Sequence, residues 1–147
     1  MTKAAASPSM HVPNLLLVED NPDDVLITRR ALDRAHIGNH LTVLEDGEQA
    51  LEFLYREAMQ GNDQIGIILL DLGLPKVDGR TVLKKVWDDR RLRHIPVIVL
   101  TGSDEEDDMV KSYKSGAVAF LRKPVQVDQL LRAVGDLHGY QLLIART

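Results

Sequence analysis

The chain has no cysteine, a single tryptophan and few aromatic residues of any kind, 4% in all. Disulfides, thiol nucleophiles and cysteine-ligated zinc are excluded together. There is no excess of positive charge either. Lys and Arg number 18 against 22 Asp and Glu, a net charge of −4, which gives no electrostatic reason to bind nucleic acid. Long apolar runs are missing as well, since none approaches the roughly 20 residues of a membrane helix, and the first residues lack the apolar core of a signal peptide. The five histidines, His11, His36, His40, His94 and His138, are scattered without the spacing of a metal site. The expectation is a soluble cytoplasmic protein with no membrane and no nucleic-acid partner.

What is present is a core. With 44% hydrophobic residues in 147, the chain can build one domain and is too short for two ordinary ones. Residues 1–13, rich in Ala, Ser and Pro, read as a flexible tail. The domain is expected over 14–138, with a short C-terminal extension over 139–147 and no output domain. Within it, strand and helix alternate. Leu15-Leu16-Leu17-Val18, residues 40–45, Ile65-Gly66-Ile67-Ile68-Leu69-Leu70, Pro96-Val97-Ile98-Val99-Leu100 and Ala117-Val118-Ala119-Phe120-Leu121 read as strands. Asn21-Pro22-Asp23-Asp24 reads as an N-cap, a proline at the first helical position and two acids complementing the helix dipole, with Val25, Leu26, Ala31 and Leu32 as the buried stripe. Further helices are expected over 47–60, over 81–89 with Val82, Leu83, Val86 and Trp87 inward, over 103–114, and from about 127 to 137. Five strands alternating with five helices imply right-handed crossovers and a parallel sheet covered on both faces. The expected fold is therefore α/β, a flavodoxin-like (βα)5 three-layer sandwich with strand order 2-1-3-4-5.

The polar residues that follow the strands carry the functional reading. The first strand runs into Glu19-Asp20, the third into Asp71, the fourth into Thr101-Gly102, and the fifth closely into Lys123-Pro124. In a parallel sheet these groups meet on one edge, the crevice where open α/β sheets bind ligands. Two carboxylates about 4 Å apart repel by roughly 4 kcal/mol at an effective dielectric of about 20. Protons or a cation must offset them, and a wet site built of oxygen donors suits Mg²⁺. Lys123 and Thr101 add a fixed positive charge and a hydroxyl. Such a set can hold an oxyanion on Asp71, which is the equipment for phosphoryl transfer through a carboxylate nucleophile.

Leu17-Val18-Glu19-Asp20-Asn21, the segment Asp71-Leu72-Gly73-Leu74-Pro75-Lys76-Val77-Asp78-Gly79, the pair Thr101-Gly102 and Lys123-Pro124 together resemble the receiver domains of two-component response regulators. The family itself exemplifies the strand order given above, so that order belongs to the resemblance as much as to the pattern. The resemblance implies that Asp71 is the phosphoacceptor, and that Asp20, Glu19 through water and Gly73 through its carbonyl join it in holding Mg²⁺. It further implies that Thr101 and Lys123 contact the phosphoryl group, that Phe120 is the aromatic switch residue, and that Lys123-Pro124 is cis. Gly73 departs from the commoner side-chain-bearing residue at its position, leaving no side chain there to contact an attacking water. The pattern from Val18 to Asp24, the segment from Met59 to Ile65, and the acidic run Glu105-Glu106-Asp107-Asp108 followed by Ser112-Tyr113 are similar to those of stand-alone regulators paired with bacterial phytochromes. That narrower likeness implies a phytochrome histidine kinase as partner. Output is expected through protein contacts with a downstream partner or in a homodimer, formed by the face of the fourth helix, fifth strand and last helix or by the apolar stretch Tyr140-Gln141-Leu142-Leu143-Ile144, which otherwise packs on its own domain.

Two rivals differ in class. An aspartate-nucleophile phosphatase of the haloacid dehalogenase type would need a second acid two residues after Asp71, where Gly73 stands. A phosphorylation-independent interaction module has no need of Asp20, Asp71, Thr101 and Lys123 together.

Overall fold

The computed structural model describes residues 14–35, 37–62, 64–74, 76–103 and 116–135. Its strands are β1 (Asn14–Val18), β2 (Leu41–Leu44), β3 (Ile65–Asp71), β4 (Val97–Thr101) and β5 (Ala119–Arg122). They form one sheet in the order β2-β1-β3-β4-β5, with every pairing parallel. Four helices are described: α1 (Pro22–Arg34), α2 (Gly47–Met59), α3 (Gly79–Asp88) and α4 (Val127–Gly135). The expected strand order is the observed one. The helix expected over 103–114 falls almost wholly outside the described residues, as do both expected tails.

Strand alternation divides the interior into two cores. Leu16 and Val18, Ile68 and Leu70, and Val97 and Val99 face α2 and α3, meeting Leu51, Leu54, Val82 and Val86. Leu15 and Leu17, Ile67 and Leu69, and Ile98 and Leu100 face the other way, onto Ala31 and Leu32 of α1 and Leu130 of α4. β3 is buried over its whole length because it lies centrally between these layers. Each fully buried aliphatic side chain is worth about 1.5–3 kcal/mol, so β3 is the best-anchored strand from which to present a side chain at its end.

Two inward stripes differ from expectation. On α1, Leu26 is exposed and Thr28 is buried with Ala31 and Leu32. The Thr28 hydroxyl donates to the Asp24 carbonyl at 2.9 Å, which satisfies the polar group and lets the side chain enter the core. Two residues apart on a helix means about 200° around its axis, so burying Thr28 turns Leu26 outward. On α3, Val82, Leu83 and Val86 are buried, but Trp87 is 52% exposed. Its ring lies over Gly116, where a Cβ would come within 2.7 Å of Trp87 Cε3.

Candidate phosphoacceptor site

Because the strands are parallel, β1, β3, β4 and β5 all end at one edge of the sheet. Glu19 follows β1 directly, and its N–H donates to the Leu44 carbonyl at 2.9 Å, extending the ladder by one residue. Its side chain is thereby held inward, 1% exposed, while Asp20 is exposed at the mouth. Asp71 is the last residue of β3 and 4% exposed. Beyond it, the Leu72 N–H still donates to the Leu100 carbonyl at 3.0 Å. Thr101 ends β4 fully buried, and its carbonyl accepts the Lys123 N–H at 2.7 Å. The Lys123-Pro124 bond is cis, as the resemblance implies.

The loop after Asp71 folds back on the strand end. The Gly73 N–H donates to Asp71 Oδ1 at 3.2 Å, and the Gly79 N–H donates to the Leu72 carbonyl at 3.2 Å. Gly79 makes this approach feasible, since a Cβ there would lie 2.6 Å from the Asp71 carbonyl oxygen and 2.7 Å from Leu72 Cα. Asp78 caps α3 by accepting the Thr81 N–H at 2.9 Å. Lys76 takes a left-handed φ of 62°, uncommon outside glycine, and its ammonium lies 3.6 Å from Asp46, the N-cap of α2.

Lys123 is the cation of the pocket. Its Nζ lies 2.9 Å from Asp24 Oδ2, 3.3 Å from Glu19 Oε1 and 3.3 Å from Asp71 Oδ1. Burial works against the ammonium, but the hydrogen bond to Asp24 and the charges of Asp71, Glu19 and Asp24 outweigh it and raise its pKa above that of an ordinary lysine. Glu19 is the acid pushed toward its protonated form. Burial, then its hydrogen bond and repulsion with Asp71, push its pKa from 4.5 up to about 7, against the opposing pull of Lys123 and the Asn21 N–H.

Glu19, Asp20 and Asp71 can each offer a carboxylate oxygen within 4.8 Å of the others. An oxygen-only set with two buried members and one at the solvent edge fits a hard divalent cation that keeps part of its water. Burial and the neighbouring Asp71 outweigh the pull of Lys123 on Glu19, so a bound cation would add to the charge compensation there.

A pH dependence follows. Between about pH 4.5 and 7 the folded chain keeps a proton on Glu19 that the unfolded chain has released. The Glu19 contribution to stability therefore falls as pH rises through that window and is level above it, a loss of roughly 3 kcal/mol. In urea unfolding without divalent cations, Glu19→Gln should become progressively more stable than wild type from pH 5 to about 7 and keep that lead above it. Millimolar Mg²⁺ should narrow the difference. A difference independent of pH would show that Glu19 is ionised throughout.

The structure brings Glu19, Asp20, Asp71 and Lys123 together, sets Thr101 on the adjacent strand end, and places the Gly73 backbone against Asp71. Phe120 is apart from them, 43% exposed on β5 and paired in register with Val99. One member of the pocket escaped the sequence reading. Asp24 reads as a helix-dipole acid, yet it makes the shortest contact to Lys123. The available sign was its place in the first turn of the helix that follows Glu19-Asp20, which sets its side chain beside the same sheet edge.

Residues 15–135 match the family model of the response regulator receiver domain. The chain belongs to that family of two-component signalling proteins. A solved bacteriophytochrome response regulator, AtBRR, shares 41% identity and superposes with a TM-score of 0.81, covering 93% of this chain and 100% of that one. The probable methanogenesis regulatory protein FilR2 of Methanothrix harundinacea is 38% identical over 128 residues, 87% of this chain and 83% of the relative. Response regulator Rcp1 of Synechocystis is 36% identical over 129 residues, 87% of this chain and 88% of the relative. The Mn²⁺-bound form of Rcp1 superposes with a TM-score of 0.66 over 82% of this chain and 87% of that one. The chain is thus a receiver-domain response regulator whose relatives include regulators of the phytochrome group.

Proposed function

We propose that this receiver accepts a phosphoryl group from the phosphohistidine of a sensor histidine kinase onto Asp71, in a Mg²⁺-dependent reaction, and passes the signal on through protein contacts. The observation that carries this reading is the Asp71 carboxylate itself, buried at the end of the central strand, 3.3 Å from the Lys123 ammonium and clustered with Glu19 and Asp20. The likeness to AtBRR supports a bacteriophytochrome as the kinase, and the Mn²⁺-bound form of Rcp1 supports a divalent cation at the acids.

Glu19, Asp20, Asp71 and the Gly73 carbonyl would hold Mg²⁺, which when bound offsets the charge of the acids and of the incoming phosphoryl group. An Asp71 carboxylate oxygen attacks phosphorus. The P–N bond to the kinase imidazole breaks as the P–O bond forms, and the imidazole nitrogen keeps the bonding electron pair and takes up a proton. Burial and the Gly73 N–H fix the carboxylate for attack, so the barrier falls through positioning and charge neutralisation. Lys123 and the Thr101 hydroxyl then hold the phosphoryl oxygens. Drawing Thr101 inward frees space that Phe120 enters, and the surface around β5 changes as a two-state population shift.

The test is incubation with phosphoramidate, with and without Mg²⁺, followed by intact mass and size-exclusion chromatography. One added phosphoryl group, present with Mg²⁺ alone, is expected, and earlier elution would identify a homodimer as the output. Wild type left unmodified despite Mg²⁺ would overturn the reading in favour of a phosphorylation-independent module.

A further inference from the structure

We infer that Asp24 is a positioning residue of this site, holding the Lys123 ammonium so that the pocket favours a cation and resists an oxyanion. The inference rests on the phosphoacceptor reading above. It is built on an ion pair between elements far apart in sequence. Asp24 stands in the first turn of α1, and Lys123 follows β5.

The α1 N-terminus fixes Asp24 firmly. Its N–H donates to the Asn21 side chain at 3.3 Å, and its carbonyl accepts the Thr28 hydroxyl at 2.9 Å. Both partners of the pair are largely shielded, with side chains 27% exposed for Asp24 and 19% for Lys123. At 2.9 Å this contact is shorter than either of the 3.3 Å contacts that Lys123 makes to Glu19 and Asp71. An ammonium has three N–H donors, and three carboxylates surround this one.

The consequences for the two kinds of ion have opposite signs. By drawing Lys123 toward α1, Asp24 lessens its competition for the oxygens of Glu19 and Asp71, which favours a divalent cation. For an oxyanion on Asp71 the same carboxylate is unfavourable twice, because it shares the lysine charge and adds a negative charge to the pocket wall. Asp24 therefore sets the exchange between the two. A purely structural helix acid would, on removal, weaken both kinds of binding together.

The experiment uses the full chain and the isosteric variant Asp24→Asn, with Asp23→Asn as control. Asp23 is an acid of the same helical turn, is exposed, and loses the same helix-dipole interaction on substitution. Mg²⁺ affinity is measured by calorimetry, and affinity for beryllium fluoride, a phosphoryl mimic, by titration at saturating Mg²⁺. Asp24→Asn should bind Mg²⁺ roughly three- to tenfold more weakly and beryllium fluoride tighter by a similar factor, the range expected for one partly shielded ion pair. Asp24→Ser should give the same two signs, and Asp23→Asn should leave both affinities near wild type. If wild type binds both ions and Asp24→Asn changes neither, or moves both in one direction, or matches Asp23→Asn, the inference is overturned. If wild type binds neither ion, the phosphoacceptor reading fails first and takes the inference with it.

Discussion

Asp71→Asn is expected to lose phosphorylation completely and to gain stability. The amide keeps the shape of the carboxylate and can still accept the Gly73 N–H, but it is no nucleophile. Its charge is also gone from a pocket where it helps push Glu19 toward protonation. Without divalent cations and above pH 7, the variant should therefore unfold about 1–2 kcal/mol later than wild type, a gain of the kind seen when a site held for function is dismantled. Mg²⁺ should stabilise it less than it stabilises wild type, because one of the clustered acids is lost. Intact mass after phosphoramidate treatment and urea unfolding with and without Mg²⁺ report both parts. A phosphoryl group on the variant would locate the acceptor elsewhere, and a variant less stable than wild type would show that Asp71 is net attractive in its surroundings.

Lys123→Met should be damaging in both respects. Removing the cation leaves Glu19, Asp71 and Asp24 facing one another, and taking one partner from a shielded ion cluster typically costs several kcal/mol. Glu19 can take up a proton to relieve part of that, so a loss of roughly 2–3 kcal/mol in the absence of Mg²⁺ is expected. Phosphorylation by a small donor should slow by about a hundredfold, the usual effect of losing one positioned group that stabilises developing charge. Mg²⁺ affinity should nevertheless rise, since the ammonium no longer competes for the Glu19 and Asp71 oxygens. Calorimetry showing weaker Mg²⁺ binding would contradict the electrostatic arrangement described here, whatever the fate of the chemistry.

The parts of this site that could be read from sequence are those carried by strand ends. A six-residue apolar run such as residues 65–70, closed by a Pro/Gly loop, reads as a buried strand, and an acid immediately after it then lies at the strand's edge. Parallel alternation then places Glu19, Asp71, Thr101 and Lys123 at one edge without any distance being known. The rest depends on helix rotation and side-chain reach, which periodicity does not encode. Thr28 entered the core in place of Leu26 because a hydrogen bond one turn back satisfied its hydroxyl. Trp87, on the edge of a correctly read stripe, is too large to be covered fully and spreads over Gly116. Asp24 was legible as a helix-terminal acid but not as a ligand of Lys123, because that contact depends on how α1 sits beside the end of β5.

The proportions of the sheet bear on how copies of this protein can meet. β3, at its centre, has seven residues, whereas the outermost strands β2 and β5 have four each. β2 leads into the exposed Glu45, and β5 ends at the exposed Arg122. Short outer strands with charged flanks are poor templates for another backbone, which protects against edge-to-edge aggregation. The sheet edges accordingly disfavour growth of a continuous sheet from one copy to the next.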